Sequence, residues 1–542
     1  MHRTRFSLST LPLILLVGLL ALPVLALLAS WLPWGVVQAD TGAILREMAS
    51  TVLPGYVWTT LWLGLWVAVG AAVVGTATAA AVTLFEFPGR RVFEWLLLPP
   101  LAMPAYVTAY AYTDFLQFSG PLQVGLRETF GLEGRLLPEV RSLWGAIWVF
   151  TFSLYPYVYL LARTALGERA AHLMEAARLL GAPLSRRITS IALPLARPAV
   201  AAGVALALME TLADFGVTSD FGIQTFTTGI IKDWLSLDNR IAAAQLSTML
   251  LALVLVLLWL EHRAERRMRF TAKGTGHAGA TEAQPVPLRG LARGLAWGVC
   301  TLPVFMGFVA PVAFMLRPLA SDWSVLPWSR FLEWAWNSVR LGGITAGLAV
   351  AVALALAFAV RRRPDLLTRG VVRLASVGYA VPGAVIVVGL LLPVGWVQAH
   401  FPHWGVGALV TTTAVGIVWA YLVRFCAVAL QSVQSGYARI PASLDDSARM
   451  LGAGSARLMA NVHWPLLRRS TAAAALLVFV DVMKELPATM VLRPFNSDTL
   501  AVVAYQLARD ERLGEAALPS LALVAVGLVP VILLSRTLRG RA

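Results

Sequence analysis

Six charged side chains stand in strongly apolar surroundings: Glu210, Asp214 and Asp220, then Asp481, Lys484 and Glu485. Charge inside a membrane span is costly, and such residues usually face a cavity or one another. Carboxylate oxygens suit a hard cation, so these acids fit the wall of a translocation path or its outer gate. Titratable carboxylates also fit proton coupling. Ion pairing accounts for the same residues, since Lys484 can reach Asp481 at i−3 and Arg424 stands in the neighbouring apolar stretch. Glu210 and Asp481 are 271 residues apart, as are Asp214 and Glu485, and 271 is half of the 542-residue chain. The candidate path or gate is therefore Glu210, Asp214, Asp481, Lys484 and Glu485.

The elements that must hold these residues follow from composition. The chain is 58% hydrophobic and 13% charged, against about 25% charged in a soluble domain. Spanning helices need about 20 apolar residues, and the apolar runs are continuous rather than alternating. The expected fold is an all-α polytopic membrane protein with about twelve spans, six per half. They are placed at 11–33, 56–85, 93–115, 143–166, 198–219, 242–260, 295–316, 338–360, 371–395, 405–430, 470–490 and 517–535. The first run is too long for a secretory signal core and is read as a retained span. The halves are 1–260 and 294–542, joined by a polar cytoplasmic linker at 261–293.

Net charge is +15, yet its placement argues against nucleic acid. With the N-terminus inside, 29 of the 44 Lys and Arg residues fall on the cytoplasmic side. That bias predicts both termini in the cytoplasm. The two cysteines, Cys300 and Cys426, lie in expected spans, so a disulfide framework is not expected.

Between the fourth and fifth span of each half runs a polar, small-residue-rich loop. EAARLLGAPLSRRITSIALP covers Glu175–Pro194, and DSARMLGAGSARLMANVHWP covers Asp446–Pro465. The shared register is Glu175/Asp446, Ala177/Ala448, Arg178/Arg449, Gly181/Gly452 and Pro194/Pro465. A short helix ends at Gly181; a second, over about Leu184–Leu193, is expected to meet Pro194. Lipid headgroups would accept such a helix, but they do not require the same spacing twice. One protein partner per half does.

Glu175–Pro194 matches the pattern E-A-A-x3-G-x9-I-x-L-P, and the chain resembles the permeases of ABC importers. The second copy departs from the pattern at Asp446, Ser447 and Val462-His463-Trp464. The stretches Met209–Ile230, Phe479–Ala501 and Ala508–Leu523 are similar to fused permeases of the ferric-iron importer family, and the resemblance covers essentially the whole chain. It implies two parallel six-helix type I permease repeats in a bacterial inner membrane. It implies coupling loops at about 167–197 and 431–469, with Glu175, Ala176, Ala177, Gly181, Pro194, Asp446, Ala448, Gly452 and Pro465 at the ATPase interface. It implies two copies of an ATPase subunit, a periplasmic substrate-binding protein and ferric iron as cargo. Thiamine or a phosphonate is the alternative cargo, and an ion-coupled secondary transporter is the alternative of a different class.

The chain shows no G-x4-G-K-[ST] loop to cradle nucleotide phosphates. No cofactor is expected on it, and ATP with Mg is expected on the partner ATPase. His400 and His403, at i, i+3, are a weak metal signal, because a closed site needs more ligands. Prolines at 99, 100, 104 and 382 predict kinks or broken helices in the third and ninth spans.

Overall fold

The computed structural model describes residues 11–31, 41–167, 171–272, 285–321, 323–324, 326–362 and 365–539. Positions 32–33 of the expected first span, 168–170 of the first loop and 273–284 of the expected linker lie outside the described residues. Helix carries almost all of the regular structure, as apolar surroundings require: a helix satisfies its own backbone. Among the described residues the strands are the two-residue β1 (Phe85–Glu86) and β2 (Val286–Pro287), paired in parallel.

The helices that matter below are, in chain order, α1 (Leu11–Ala29), α2 (Leu53–Leu84), α3 (Ala105–Leu116), α4 (Leu143–Ala165), α5 (Ala171–Leu179), α6 (Leu193–Ala213), α7 (Gly216–Asp220) and α8 (Arg240–Ala272). They continue with α9 (Leu291–Ser321), α10 (Trp328–Arg362), α11 (Gly383–His400), α12 (Ala414–Tyr437), α13 (Ala442–Met450), α14 (Trp464–Lys484), α15 (Pro487–Leu492) and α16 (Leu513–Arg539). The repeat seen in the sequence is also a structural repeat. The first residues of α4 and α12, of α5 and α13, and of α6 and α14 each stand 271 positions apart.

Among the described residues nine helices are long and apolar enough to cross a membrane, or ten if one bent pair counts as a span. The expectation was about twelve. Two expected spans are not among them. Helix α1 is apolar over all of Leu11–Ala29, and it is counted from Ile14 among the shorter apolar helices. In α14, Arg468, Arg469, Asp481 and Lys484 interrupt an alanine-rich run. The bent pair is the expected third span. It breaks by 89° between Ala102 and Ala105, where Pro104 takes an extended conformation and cannot donate a backbone hydrogen bond.

The chain divides into two compact units. One comprises Met1–Glu47, Ile230–Leu251 and Ser329–Val502. Here α1 packs on α11 and α12. Trp419 Nε1 donates to the Leu19 carbonyl at 3.0 Å. Gly389 is required at the crossing, because a Cβ there would sit 2.3 Å from the Pro23 carbonyl oxygen.

The other unit comprises Met48–Gly229, Ala252–Trp328 and Val503–Ala542. Its centre is α4, flanked by α2 and α6. Tyr155 and Tyr159 are buried there and donate their hydroxyls to the carbonyls of Leu97 and Glu94, both at 3.0 Å. Helix α9 joins this core through Tyr112, whose hydroxyl donates to the Met306 carbonyl at 2.7 Å. A Cβ on Gly307 would meet the Phe152 carbonyl oxygen at 2.3 Å. Gly307→Ala is therefore expected to destabilise the protein by about 1–3 kcal/mol, as overpacked cores do. A lowered melting temperature of the purified variant checks this.

Candidate functional site

The two loops adopt the same local structure. Helix α5 ends at Leu179 and the chain turns at Gly181, whose φ is 78°. Helix α13 ends at Met450 and turns at Gly452, with φ 80°. In the first loop Ala182 N donates to the Ala177 carbonyl and Gly181 N to the Arg178 carbonyl. In the second, Ala453 N donates to Ala448 and Gly452 N to Arg449. This paired closure is the Schellman motif, in which a left-handed residue, usually glycine, satisfies the last helix carbonyls.

What the turns present is apolar. Leu179 and Leu180 are 85% and 87% exposed, and Met450 and Leu451 are both 88% exposed. Around these tips Glu175, Ala176, Gly181, Asp446, Gly452 and Pro465 are exposed, while Ala177, Pro194 and Ala448 are half-buried. Asp446 pairs with Arg449 at 3.4 Å.

Beyond each turn the chain does not stop at its proline. Residues Leu184–Ala213 form one 30-residue helix. A wider π turn at Ile188–Ala192 precedes α6, and Pro194 sits in the first turn of α6. The widened turn accommodates a residue without an N–H inside the helix, so the short helix expected to meet Pro194 runs on through it. The second loop repeats the arrangement with a π turn at Leu458–His463 and Pro465 in the first turn of α14.

The sequence reading missed how the second loop is anchored. Asp445 is 3% exposed and His463 is fully buried. His463 Nε2 lies 3.0 Å from Asp445 Oδ1, and its Nδ1 lies 3.2 Å from the Tyr437 hydroxyl. Arg361, near the end of α10, donates to Asp445 at 2.8 Å and 3.3 Å and to the Ile440 carbonyl at 3.0 Å. Burial pushes the Asp445 carboxyl up, but the Arg361 and His463 hydrogen bonds and charges outweigh it and hold the group below the usual carboxylate range.

The positions 271 earlier are built differently. Met174, Ala192 and Leu166 stand where Asp445, His463 and Tyr437 stand in the second half, and all three are buried in one apolar cluster that includes Phe87. One loop is held by hydrophobic packing and the other by an ionic clasp. The adjacent acids Asp445-Asp446 were the available signal, since neighbours on a helix project about 100° apart and so can meet different surroundings.

At the far ends of α6 and α14 the candidate path residues divide into two kinds. Asp214 Oδ1 accepts from Val217 N at 2.9 Å. Glu485 Oε1 accepts from Ala488 N at 3.0 Å, and Oε2 accepts from Thr489 N at 2.9 Å and from the Thr489 hydroxyl at 2.8 Å. Both carboxylates thus cap the short helices α7 and α15 that follow each break, a role that acids fill well. Glu485 also pairs with Arg424 at 3.3 Å. Glu210, Asp481 and Lys484 are half-buried near the ends of α6 and α14. Asp220, at the end of α7, lies 3.6 Å from Arg141, which also bonds Glu511.

His400 and His403 are exposed, and the His400 ring stacks on Trp396 with 4.4 Å between centroids. Among the described residues no group of three or more His, Cys, Asp and Glu side chains could hold a metal ion.

Among the described residues, many long apolar helices, a duplicated surface loop and acids at helix breaks fit a membrane permease. Residues 71–270 match the family model of the binding-protein-dependent transport system inner membrane component. The chain is 27% identical over 484 residues to the Fe(3+)-transport system permease protein FbpB 2 of Haemophilus influenzae, covering 88% of each. It is 25% identical over 516 residues to the probable ABC transporter permease protein y4fN of Sinorhizobium fredii, covering 89% of this chain and 87% of the relative. It is 28% identical over 174 residues to the putative 2-aminoethylphosphonate transport system permease protein PhnU of Salmonella choleraesuis, covering 32% of this chain and 61% of the relative. The chain is thus similar over residues 71–270 to the inner-membrane components of binding-protein-dependent transport systems, and over most of its length to permease proteins of such systems.

Proposed function

We propose that the chain forms the translocation path for ferric iron in an ABC importer. A periplasmic binding protein delivers the cargo, and two copies of a separate ATPase, carrying ATP and Mg, dock on the two loops. The observation that carries this reading is the duplicated apolar tip, Leu179-Leu180 and Met450-Leu451, exposed on two identically closed turns. Exposed apolar side chains of this size gain from entering a partner's cleft. The halves 1–260 and 294–542 each supply one such loop, and the segment 261–293 joins them. Both termini lie in the cytoplasm on this reading, supported by the positive-charge bias of the loops.

Coupling runs through a continuous helix. A tilt imposed on the turn at Gly181 passes along Leu184–Ala213 to Asp214. The second loop passes the same motion along α14 to Glu485. Iron is favoured as cargo by the likeness to the Fe(3+)-transport permease over 88% of the chain. A phosphonate is the second reading, supported by the shorter likeness to the 2-aminoethylphosphonate permease.

Radiolabelled ferric uptake tests the proposal in cells lacking this chain, complemented with wild type or with Glu175→Arg/Asp446→Arg. Wild type restores uptake and the double variant does not, although both reach the membrane. Equal uptake by both overturns the loop account. No uptake by either, with uptake of labelled 2-aminoethylphosphonate instead, overturns the iron assignment.

A further inference from the structure

We propose that a groove between α6 and α8 binds one anionic phospholipid, a site that serves the first loop. The groove has a volume of about 580 Å³. Ala201, Val204 and Leu208 of α6 form one wall, and Leu257 and Leu260 of α8 form the other. Arg197, early in α6, and Arg263, in the last third of α8, also line it. The 11 positions from Arg197 to Leu208 rise about 16 Å along a helix, enough for most of an acyl chain.

The charge at the mouth selects the headgroup. Both guanidiniums are exposed, and among the described residues neither has a carboxylate partner. Arg263 instead lies over the Trp259 ring, 5.2 Å from its centroid. Tryptophan and arginine at the end of an apolar helix mark the level of lipid headgroups. Two arginines lining one groove suit a phosphodiester, which guanidinium groups bind through charge-assisted hydrogen bonds, and basic pockets between spanning helices favour anionic headgroups. A headgroup that adds its own ammonium sets a positive charge against this pair. A water-soluble anion matches the arginines but leaves the apolar walls unfilled.

The site belongs to one half only. Arg468 stands 271 positions after Arg197, but the positions corresponding to Trp259 and Arg263 are Pro530 and Leu534. Helix α6 continues directly from the first loop. A lipid bridging α6 and α8 therefore restrains the helix that the first loop moves, whereas α14 moves without one.

The test is lipid retention by the full chain in detergent, read by native mass spectrometry during titration with phosphatidylglycerol or phosphatidylcholine. It needs neither cargo nor ATPase, so its outcome is independent of the transport reading. Wild type retains one phosphatidylglycerol and releases phosphatidylcholine. Arg197→Gln/Arg263→Gln weakens phosphatidylglycerol retention by at least about tenfold, while Arg468→Gln/Arg469→Gln leaves it unchanged. Ala201→Phe, which fills the groove and keeps both arginines, also expels the lipid. Equal retention of the two lipids by wild type, or wild-type retention of phosphatidylglycerol by Arg197→Gln/Arg263→Gln or by Ala201→Phe, overturns the proposal.

Discussion

Leu179→Asp/Leu180→Asp together with Met450→Asp/Leu451→Asp is expected to abolish ATP-driven uptake while the protein remains folded in the membrane. All four side chains are between 85% and 88% exposed, so aspartate there removes almost no intramolecular contact. Burying a leucine or methionine in a partner is worth about 1.5–3 kcal/mol. Losing two at one loop therefore weakens docking by about a hundredfold or more, at tenfold per 1.4 kcal/mol. The check is co-purification of the ATPase with the tagged permease, alongside the melting temperature of the permease alone. Co-purification falls and the melting temperature does not. The single-loop variants rank the two sites: each alone lowers ATPase recovery, and the four-residue variant removes it.

The second large effect falls on the clasp. Asp445→Ala leaves Arg361 and His463 without the carboxylate that pairs them, and breaking a buried ion pair from one side costs about 3–5 kcal/mol. The expected result is a clear loss of thermal stability and of coupling through the second loop, with the first loop intact. The pH dependence has a definite sign. The Asp445 carboxyl is held below the usual carboxylate range in the folded protein. Its stabilisation is therefore fully present above the unfolded value of about 3.9 and is lost as pH falls through the lower folded value. Melting curves of wild type and Asp445→Asn should differ most at neutral pH and converge under acid. A gap that widens under acid contradicts the clasp.

Much of this was legible in the sequence because it is local or periodic. The glycine turns and the broken third span follow from residue type within a short window, and the 271-residue repeat follows from matching such windows between the halves. What was not legible depends on distant partners. Arg361 and Asp445 are 84 residues apart, and no periodicity in either segment points to the other. Nothing local sets Gly389 apart, because the Pro23 carbonyl that requires a glycine there belongs to a helix distant in sequence. The acids Asp214 and Glu485 were visible as charges at the ends of apolar runs, but charge in that setting has two explanations. The hydrogen bonds to Val217, Ala488 and Thr489 give both a capping role. Among the described residues α14 does not count as a span because alanines and charges make it weakly apolar, while its register with α6 marks it as the counterpart of a long apolar helix.

The most direct test of the account is reconstitution. The chain is placed in liposomes with its ATPase, the ferric-loaded binding protein is supplied on one side, and ATP with Mg is supplied on the ATPase side. The account predicts iron accumulation that requires ATP, the binding protein and intact tips at Leu179-Leu180 and Met450-Leu451. Iron accumulation by the chain alone, driven by an ion gradient and indifferent to ATP and to the tips, would contradict it.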